Sequence, residues 1–295
     1  MNKHLSKKKI KVIAIVGATA SGKTAYSIEL AKKIDGEIIS SDSRLVYKGF
    51  NIGTAKPSIE EQEGIPHHLI DIVEPEFDYS AGIYKQDASQ KIIDSASRGK
   101  MPIIVGGTGL YIDILLKNYD LPQIEPDKEF RKSLSTISVE TLYEELKKKD
   151  IEGAKTINPN DRKKIIRALE IIKITGKTLN QSRGMNEQEY EVEWIGRNFD
   201  RKTLYSRIDK RVDIMIEQGL IQETEHLLKK HGRIPNLINT IGYREILGFI
   251  DNKYSLDEAK ELLKKNTRNY AKRQLTWFRK NESINWNVYP EKLKK

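Results

Sequence analysis

The chain has 295 residues, enough for one large domain or for a domain that carries a substantial insertion. It has 52 Lys and Arg against 42 Asp and Glu, and the resulting net charge of +10 favours a polyanionic partner. The absence of Cys excludes disulfides, thiolate catalysis and cysteine-ligated metal sites, and it is typical of a reducing compartment. No apolar run approaches the roughly 18 residues that a membrane-spanning helix needs, so we expect a soluble, cytoplasmic protein that does not use a membrane.

Short apolar runs alternate with helical patterns in the first third of the chain. Residues 10–16 form a nearly continuous apolar run, which is typical of a strand buried on both faces of a parallel sheet. Residues 23–34 follow with the periodicity of an amphipathic helix, and further strands are predicted at 37–41 and 102–105. This alternation predicts an α/β fold built on a doubly wound parallel sheet.

Ligands of doubly wound sheets bind beyond the carboxyl ends of the strands. Three of the predicted strands are followed there by glycine-rich or polar residues. We therefore expect three segments to converge on one crevice: residues 17–24, 42–45 and 106–109.

The middle of the chain has a different character. Two prolines interrupt the α/β alternation, and residues 127–188 show helix and turn signals without a strand signal. Strand character returns at residues 192–199. The pattern predicts an all-helical domain, residues 122–191, inserted between two parts of the core, residues 1–121 and 192–295.

Residues 17–24 carry a phosphate-binding motif. Their sequence matches G-x-x-x-x-G-K-[ST] between a predicted strand and a predicted helix: Gly17-Ala18-Thr19-Ala20-Ser21-Gly22-Lys23-Thr24. In such a loop the main-chain N–H groups bind phosphate oxygens, Lys23 adds a positive charge, and the Thr24 hydroxyl is a candidate magnesium ligand. The motif predicts a P-loop NTPase-like fold and a phosphate-bearing ligand, but kinases, ATPases and other users of diphosphates share it.

Asp42 is the acidic residue that follows an apolar strand. In a nucleotide hydrolase such an Asp helps to hold magnesium, whereas the strand at 102–105 ends in glycines. A carboxylate at this position can also cap a helix. The residues alone therefore leave the role of Asp42 open.

Two basic segments are candidates for a nucleic-acid surface. Lys163, Lys164 and Arg167 lie at helical spacing after Asp161, which is placed to cap that helix. Residues 266–280 contain five cations and no acid, interleaved with aromatic residues: Arg268, Lys272, Arg273, Arg279 and Lys280, with Tyr270, Trp277 and Phe278. A solvated surface explains the charges equally well, and the spacing of the aromatics is also typical of core packing.

Eight segments, in order along nearly the whole chain, resemble those of tRNA dimethylallyltransferases. They are GATASGKT (17–24), EIISSDSRLVYKG (37–49), NIGTAKP (51–57), PHHLIDI (66–72), PIIVGGTGLY (102–111), NPNDRKKIIRALE (158–170), IGYREI (241–246) and TRNYAKRQLTWFR (267–279). This combination is far more specific than the P-loop motif alone. The resemblance implies a magnesium-dependent enzyme that transfers a dimethylallyl group from dimethylallyl diphosphate to N6 of the adenosine 3′-adjacent to the anticodon in tRNA.

The resemblance also implies roles for individual residues. Asp42 falls on the family's general base, Thr108 on the threonine that contacts the target adenosine, and Arg211 on a residue that joins the P-loop around the diphosphate. The helical insertion is implied to bind tRNA. The residues implied to contact the anticodon stem-loop are Asp42, Ser43, Arg44, Leu45, Thr108, Arg131, Lys163, Lys164, Arg167, Lys272 and Arg273. The chain departs from many members of the family at Leu45, where they have Gln, and at Asn51, where they have Asp.

Two other functions remain open at this point. The first is a P-loop small-molecule kinase or ATPase, which would release ADP without any isoprenoid. The second is a non-catalytic RNA-binding protein that uses the P-loop as a nucleotide switch. The sequence indicates no partner protein, and we expect a monomer.

Overall fold

The computed structural model describes residues 9–120, 124, 127–182, 184–185 and 188–289. Contacts divide the chain into two compact units, which we call the core unit (residues 1–116 and 189–295) and the helical unit (residues 117–188). The domain boundary predicted between residues 121 and 122 lies outside the described residues. No helix in the described part of the chain combines the length and the apolar character needed to cross a membrane.

Strands and helices alternate through the core unit, and helices predominate in the helical unit. The strands, in chain order, are β1 (Ile10–Gly17), β2 (Gly36–Ser40), β3 (His67–His68), β4 (Met101–Gly106), β5 (Tyr119–Asp120), β6 (Gly184–Met185), β7 (Tyr190–Phe199) and β8 (Asn285–Tyr289). The helices are α1 (Lys23–Ile34), α2 (Ala81–Ser97), α3 (Gly109–Leu116), α4 (Lys128–Ser133), α5 (Val139–Lys149), α6 (Ile151–Lys155), α7 (Arg162–Thr175), α8 (Leu179–Ser182), α9 (Arg201–Glu217), α10 (Leu220–His231), α11 (Pro235–Asn239), α12 (Tyr243–Ile250) and α13 (Leu256–Phe278).

Six strands of the core unit form one parallel sheet, in the spatial order β3-β2-β4-β1-β7-β8. β1 is buried on both faces because helices cover each side of the sheet. Ala14 packs in one hydrophobic cluster with Ile112 of α3, and Ile15 packs in another with Ile28 of α1. This arrangement confirms the predicted doubly wound parallel sheet.

The strand order places the three predicted segments at one edge of the sheet. β4 pairs with β2 on one side and with β1 on the other, in a register that sets Ser40 opposite Val105 and Val16 opposite Gly106. Because the three strands are parallel, their carboxyl ends and the segments that follow are neighbours. α1 begins where predicted, at Lys23, directly after the β1 turn.

Five strands differ from the sequence predictions, because β3, β5, β6 and β8 are absent from them and β7 begins earlier than predicted. β7 begins at Tyr190, two residues inside the predicted insertion, because its pairing with β1 starts opposite Ile10. β6 lies within residues 127–188, which the sequence predicts to lack strands, and it pairs antiparallel with β5. A strand of two residues has no periodicity that a sequence pattern could reveal. β8 lies beside β7 and is also absent from the sequence prediction.

A buried carboxylate joins β2 to its neighbours at the end of the strand opposite Asp42. Glu37 is 3% exposed, accepts hydrogen bonds from Arg98 and Ser95, and lies 2.8 Å from His68 Nε2. The Arg98 guanidinium holds the pKa of Glu37 at about 2 despite burial. The network connects β2 with β3 and α2, so His68 has a structural partner.

The helical unit has its own hydrophobic core, which includes Ile165 and Leu169 of α7. Asp161 caps this helix, as predicted, by accepting the Lys164 N–H at 3.2 Å. Because the helix begins at this cap, Ile165 and Leu169 face the hydrophobic core of the unit, and Lys163 and Lys164 are exposed. The exposed lysines are therefore a consequence of the way in which the helix packs.

Candidate active site

The turn between β1 and α1 has the geometry of an anion-binding loop. Gly22 adopts a left-handed conformation, with φ of 79°, at the residue from which α1 starts. A residue with a side chain rarely adopts this conformation, so the turn favours glycine here. The first turn of α1 contains no acidic side chain, and the main-chain N–H groups at its N-terminus favour a negatively charged ligand.

Lys23 is held by neutral oxygen atoms of the same loop. Its Nζ donates to the carbonyl oxygens of Ala18 at 2.6 Å and Gly17 at 3.1 Å. Burial lowers the pKa of Lys23 to about 8, an effect that the Asp42 carboxylate opposes and the Arg211 guanidinium reinforces. The amine therefore lies close enough to both of these residues to interact with them electrostatically.

Two arginines of α9 also face the loop. Arg211 Nη1 lies 3.5 Å from Thr19 Oγ1, and burial lowers the pKa of this guanidinium. One helical turn earlier, Arg207 donates from Nε to the Ala20 carbonyl oxygen at 2.9 Å and lies over the ring of Phe199. The structure thus places Arg211 beside the P-loop and adds Arg207 from the same face of the helix.

Hydrogen bonds join the segments that follow β2 and β4. Asp42 Oδ1 accepts the Arg44 N–H at 2.8 Å, which turns the chain after β2. The Ser43 N–H donates to Thr108 Oγ1 at 3.2 Å, and the Thr108 N–H donates to the Ser41 carbonyl oxygen at 3.2 Å. These bonds place Asp42 and Thr108 in adjacent segments at the same edge of the sheet.

Arg44 has a neutral partner on α11. Its Nη1 donates to Asn236 Oδ1 at 3.1 Å, and its guanidinium carbon lies 6.0 Å from the centre of the Tyr47 ring. The Asn236 amide in turn donates to two main-chain carbonyl oxygens. Leu45 is half-buried beside Arg44 and offers an apolar surface where many family members have Gln.

One face of α13 covers these segments. Tyr270 lies beside Thr108 and interacts electrostatically with Asp42, and burial raises the pKa of its phenol. Trp277 packs on Gly109, where a Cβ would overlap the indole ring, and yet it remains 40% exposed. This face therefore combines packing with partial exposure, so core packing and a role at the surface are compatible for these aromatic residues.

The basic residues of α13 do not all have the same environment. Lys272 and Arg273 are exposed, and the Arg273 guanidinium carbon lies 5.8 Å from the centre of the Tyr270 ring. Arg268 instead forms an ion pair with Asp209 of α9 at 2.6 Å. This pair holds two helices together, so Arg268 has a structural role that the exposed cations lack.

The family resemblance implies magnesium, for which the P-loop offers one protein ligand. Thr24 follows Lys23, and its side chain is exposed. Within the described residues, no cluster of three or more His, Cys, Asp or Glu side chains could hold a metal ion by itself. Magnesium usually keeps several waters and binds through substrate phosphates with one or two protein oxygen atoms. Thr24 therefore fits a magnesium ion that binds together with a diphosphate.

The four tRNA-binding candidates of the helical unit have different environments. Arg131 and Arg167 both bond to Glu170, whose side chain is fully buried, at distances of 2.9 Å and 2.5 Å. Although burial raises the pKa of Glu170, hydrogen bonds from the two guanidinium groups hold it below its ordinary value. Lys163 and Lys164 are exposed, and Lys164 pairs with its own helix cap at 3.0 Å.

The residues that hold these groups in place were missed by the sequence reasoning: Glu170, Arg207, Asn236 and Gln274. Glu170, Arg207 and Gln274 each lie three or four residues from a candidate on the same helix. This spacing puts two side chains on one helical face and was a usable signal. Asn236 lies far along the chain from Arg44, so no local sequence pattern indicated that the two side chains would bond.

The chain matches the family model described as IPP transferase over residues 45–281. It is 46% identical over 293 residues to tRNA dimethylallyltransferase 2 of Geotalea uraniireducens (strain Rf4), a match that covers 96% of this chain and 94% of the relative. It is 47% identical over 280 residues to the tRNA dimethylallyltransferase of Anoxybacillus flavithermus (strain DSM 21510 / WK1), with 94% and 89% covered.

Solved structures are similar over nearly the whole chain. The tRNA isopentenylpyrophosphate transferase from Bacillus halodurans superposes with a TM-score of 0.72 at 41% identity, covering 95% of this chain and 90% of that one. A eukaryotic dimethylallyltransferase, described in crystallographic snapshots of its action on tRNA, has a TM-score of 0.82 at 31% identity, with 94% and 73% covered. The extent of these matches shows that this chain belongs to the IPP transferase family.

Proposed function

We propose that this protein transfers a dimethylallyl group from dimethylallyl diphosphate to N6 of the adenosine 3′-adjacent to the anticodon in tRNA and releases diphosphate. The names of its relatives support the transfer of a dimethylallyl group to tRNA. The eukaryotic relative of known structure also acts on tRNA. The donor and the position of the target adenosine follow from the family resemblance.

The position of Asp42 between Lys23 and Thr108 carries the proposal. On one side Asp42 interacts electrostatically with Lys23 of the P-loop. On the other side its neighbour Ser43 bonds to Thr108 at 3.2 Å. A diphosphate on the P-loop and an adenosine at Thr108 would therefore both lie beside this carboxylate.

The reaction needs a base beside the nucleophile. The lone pair of N6 is delocalised into the adenine ring, so N6 is a weak nucleophile and must lose a proton as it reacts. The N6–C bond forms while the C–O bond to the diphosphate breaks, and Asp42 accepts the proton from N6. The electrons of the C–O bond leave with the diphosphate.

Negative charge therefore develops on the departing diphosphate. Lys23, Arg211 and the main-chain N–H groups of the P-loop stabilise this charge where it appears. A magnesium ion held by Thr24 would supply further positive charge to the diphosphate.

The target base has to leave its stack before it can reach Asp42. Anticodon loops are single-stranded, and proteins recognise unstacked bases by aromatic stacking and by contacts to base edges. We assign contacts near the target base to Asp42, Ser43, Arg44, Leu45 and Thr108, and contacts to the rest of the anticodon stem-loop to Arg131, Lys163, Lys164, Arg167, Lys272 and Arg273.

One incubation tests the reaction and the base. Purified protein is mixed with magnesium, unmodified tRNA and radiolabelled dimethylallyl diphosphate, without ATP. Label should appear at the adenosine beside the anticodon, and Asp42→Asn should lower the rate by about 10²–10⁴-fold. Asp257→Asn, which removes an exposed carboxylate at the start of α13, is the matched control and should react like the wild type.

Either half of the proposal can fail separately. Asp42→Asn protein that labels RNA at the wild-type rate would show that Asp42 is not the base. If RNA gains no label while ATP is hydrolysed in a parallel reaction, the protein is instead a kinase or ATPase, which the names of its relatives do not favour.

We also propose that the enzyme acts as a monomer in the cytoplasm. Lys23, Asp42, Thr108 and Arg211 are neighbours within one chain, so a single copy can form the site. The absence of Cys fits a reducing compartment. Light scattering should give the mass of one chain, and a dimer at assay concentrations would contradict this proposal.

A further inference from the structure

One amide side chain of α13 bonds to two segments of the proposed active site, the P-loop and the segment after β4. Gln274 is 5% exposed and lies on the helical face that also carries Tyr270 and Trp277. Its Oε1 accepts the Thr19 N–H of the P-loop at 2.8 Å, and its Nε2 donates to the Gly107 carbonyl oxygen at 2.9 Å. We propose that Gln274 is a positioning residue that sets the separation between the P-loop and the segment after β4.

The partners of Gln274 define the direction of both bonds. The Thr19 N–H can only donate and the Gly107 carbonyl can only accept, so one orientation of the amide satisfies both. Because Gln274 is buried, removal of either bond would leave a main-chain group without a partner, which is costly. An amide is needed because it donates from one atom and accepts at another while remaining neutral.

The segment after β4 is shaped to receive this amide. A Cβ at Gly107 would overlap Gln274 Nε2, so any other residue there would push the amide away. On either side of this bond, Tyr270 lies against Thr108 and Trp277 packs on Gly109. Gln274 therefore holds the P-loop to a segment that is already packed on the same helix.

This inference rests on the proposed function. The P-loop would hold the diphosphate of the donor and Thr108 the adenosine, so the Gln274 amide would set the distance between the allylic carbon and N6. A misplacement of about 1 Å can lower a rate by about 10²-fold. Loss of the amide should therefore lower kcat by more than it raises KM for either substrate.

Two substitutions of similar size separate the two bonds. Gln274→Met fills the space without either polar atom and should lower kcat by about 10–10²-fold. Gln274→Glu keeps an acceptor for the Thr19 N–H, but its ionised form faces the Gly107 carbonyl without a proton to donate. Burial raises the pKa of a carboxyl group, and the protonated form can donate to Gly107 again.

A pH profile then distinguishes positioning from packing. The kcat ratio of Gln274→Glu to Gln274→Met should rise as pH falls, because protonation restores the bond to Gly107 in the first variant alone. The ratio cancels any pH dependence of the reaction that both variants share. A role in packing alone would give a ratio that does not change with pH.

Hydrogen exchange at Thr19 reports on the same bond without the reaction. The Thr19 amide should be protected in the wild type and in Gln274→Glu, and should exchange faster in Gln274→Met. Thr276→Val is the matched control on the exposed side of α13, where the Thr276 hydroxyl donates to the Lys272 carbonyl oxygen at 3.0 Å. This variant should keep the kcat, KM and exchange rates of the wild type.

Three results would overturn the inference: wild-type kcat in both Gln274 variants, a kcat ratio independent of pH, or a loss of kcat that equals the loss of folded protein. Failure of the proposed function has a different signature, since the wild type itself would then leave tRNA unlabelled. In that case the exchange of Thr19 still decides whether Gln274 holds the two segments together.

Discussion

Cationic residues are held differently in the two units of this protein. Beside the P-loop, three cations bond to neutral oxygen atoms of the main chain or of a hydroxyl group: Lys23, Arg207 and Arg211. In the helical unit, Arg131 and Arg167 share the buried carboxylate of Glu170. Among the described residues, no carboxylate forms an ion pair with any of the three P-loop cations.

This difference affects how each group can bind an anion. Neutral acceptors orient a cation without cancelling its charge, so the P-loop group keeps its positive charge for one ligand. The Glu170 carboxylate cancels one of two charges and fixes the direction of both guanidinium groups. The first arrangement favours a compact, highly charged group such as a diphosphate, whereas the second leaves one net positive charge on two oriented guanidinium groups.

We expect the largest effect from a substitution of Lys23. Lys23→Met should raise the dissociation constant for inorganic diphosphate by about 10–100-fold, because a hydrogen bond from a charged group contributes about 1.5–3 kcal/mol. The affinity for tRNA should stay the same. Lys33→Met is the control in calorimetric titrations, since Lys33 is exposed on the same helix and pairs with Glu29 at 2.6 Å. Equal losses in both variants would mean that net charge, rather than the loop, sets the affinity.

Glu170 tests the other side of the comparison. Glu170→Gln should lower the free energy of opening of α7 by about 1–2 kcal/mol, because two partly solvated guanidinium groups lose their charged acceptor. Hydrogen exchange of the α7 amides measures this quantity. Glu144→Gln, which removes an exposed partner of Lys147, should change it by less than about 0.5 kcal/mol. If α7 is as stable in Glu170→Gln as in the wild type, Glu170 does not hold Arg131 and Arg167 in place.

The pKa of Lys23 sharpens the contrast further. Because this pKa is about 8, Lys23 of the free protein loses its charge as pH rises through that value. The advantage of the wild type over Lys23→Met in binding inorganic diphosphate should therefore shrink by about tenfold between pH 7 and pH 9. Taking the ratio of the two dissociation constants removes the titration of the ligand. A constant ratio would mean that Lys23 stays charged across this range.

The exposed lysines of the helical unit should give the smallest effect. A variant with both Lys163→Ala and Lys164→Ala should flatten the salt dependence of tRNA binding, by a slope of about 0.7–0.9 for each phosphate that the protein no longer neutralises. Filter binding at several salt concentrations measures the slope. A variant with both Lys147→Ala and Lys155→Ala is the control in the same unit, because it removes the same number of charges from exposed lysines that are not assigned to tRNA binding. An unchanged slope in the first variant would exclude this face from tRNA binding.

Much of the fold could be predicted because its signals are local. The apolar run of β1, the glycines of the turn and the periodicity of α1 act between residues that are close in sequence. The family resemblance adds Asp42, Thr108 and Arg211, whose roles in the reaction remain predictions. β6 and β8 could not be predicted, because short or edge strands depend on the partner beside them.

The sequence alone predicts the glycine-rich turn with its phosphate-binding motif and the parallel α/β sheet that carries it, since both depend on neighbouring residues. Tertiary structure decides which side chains hold that loop in place. Gln274 bonds to Thr19 across 255 positions of the chain, and Arg211 approaches the same residue across 192. Such contacts depend on strand order and helix packing, which bring distant residues together and leave no periodic signal in the sequence.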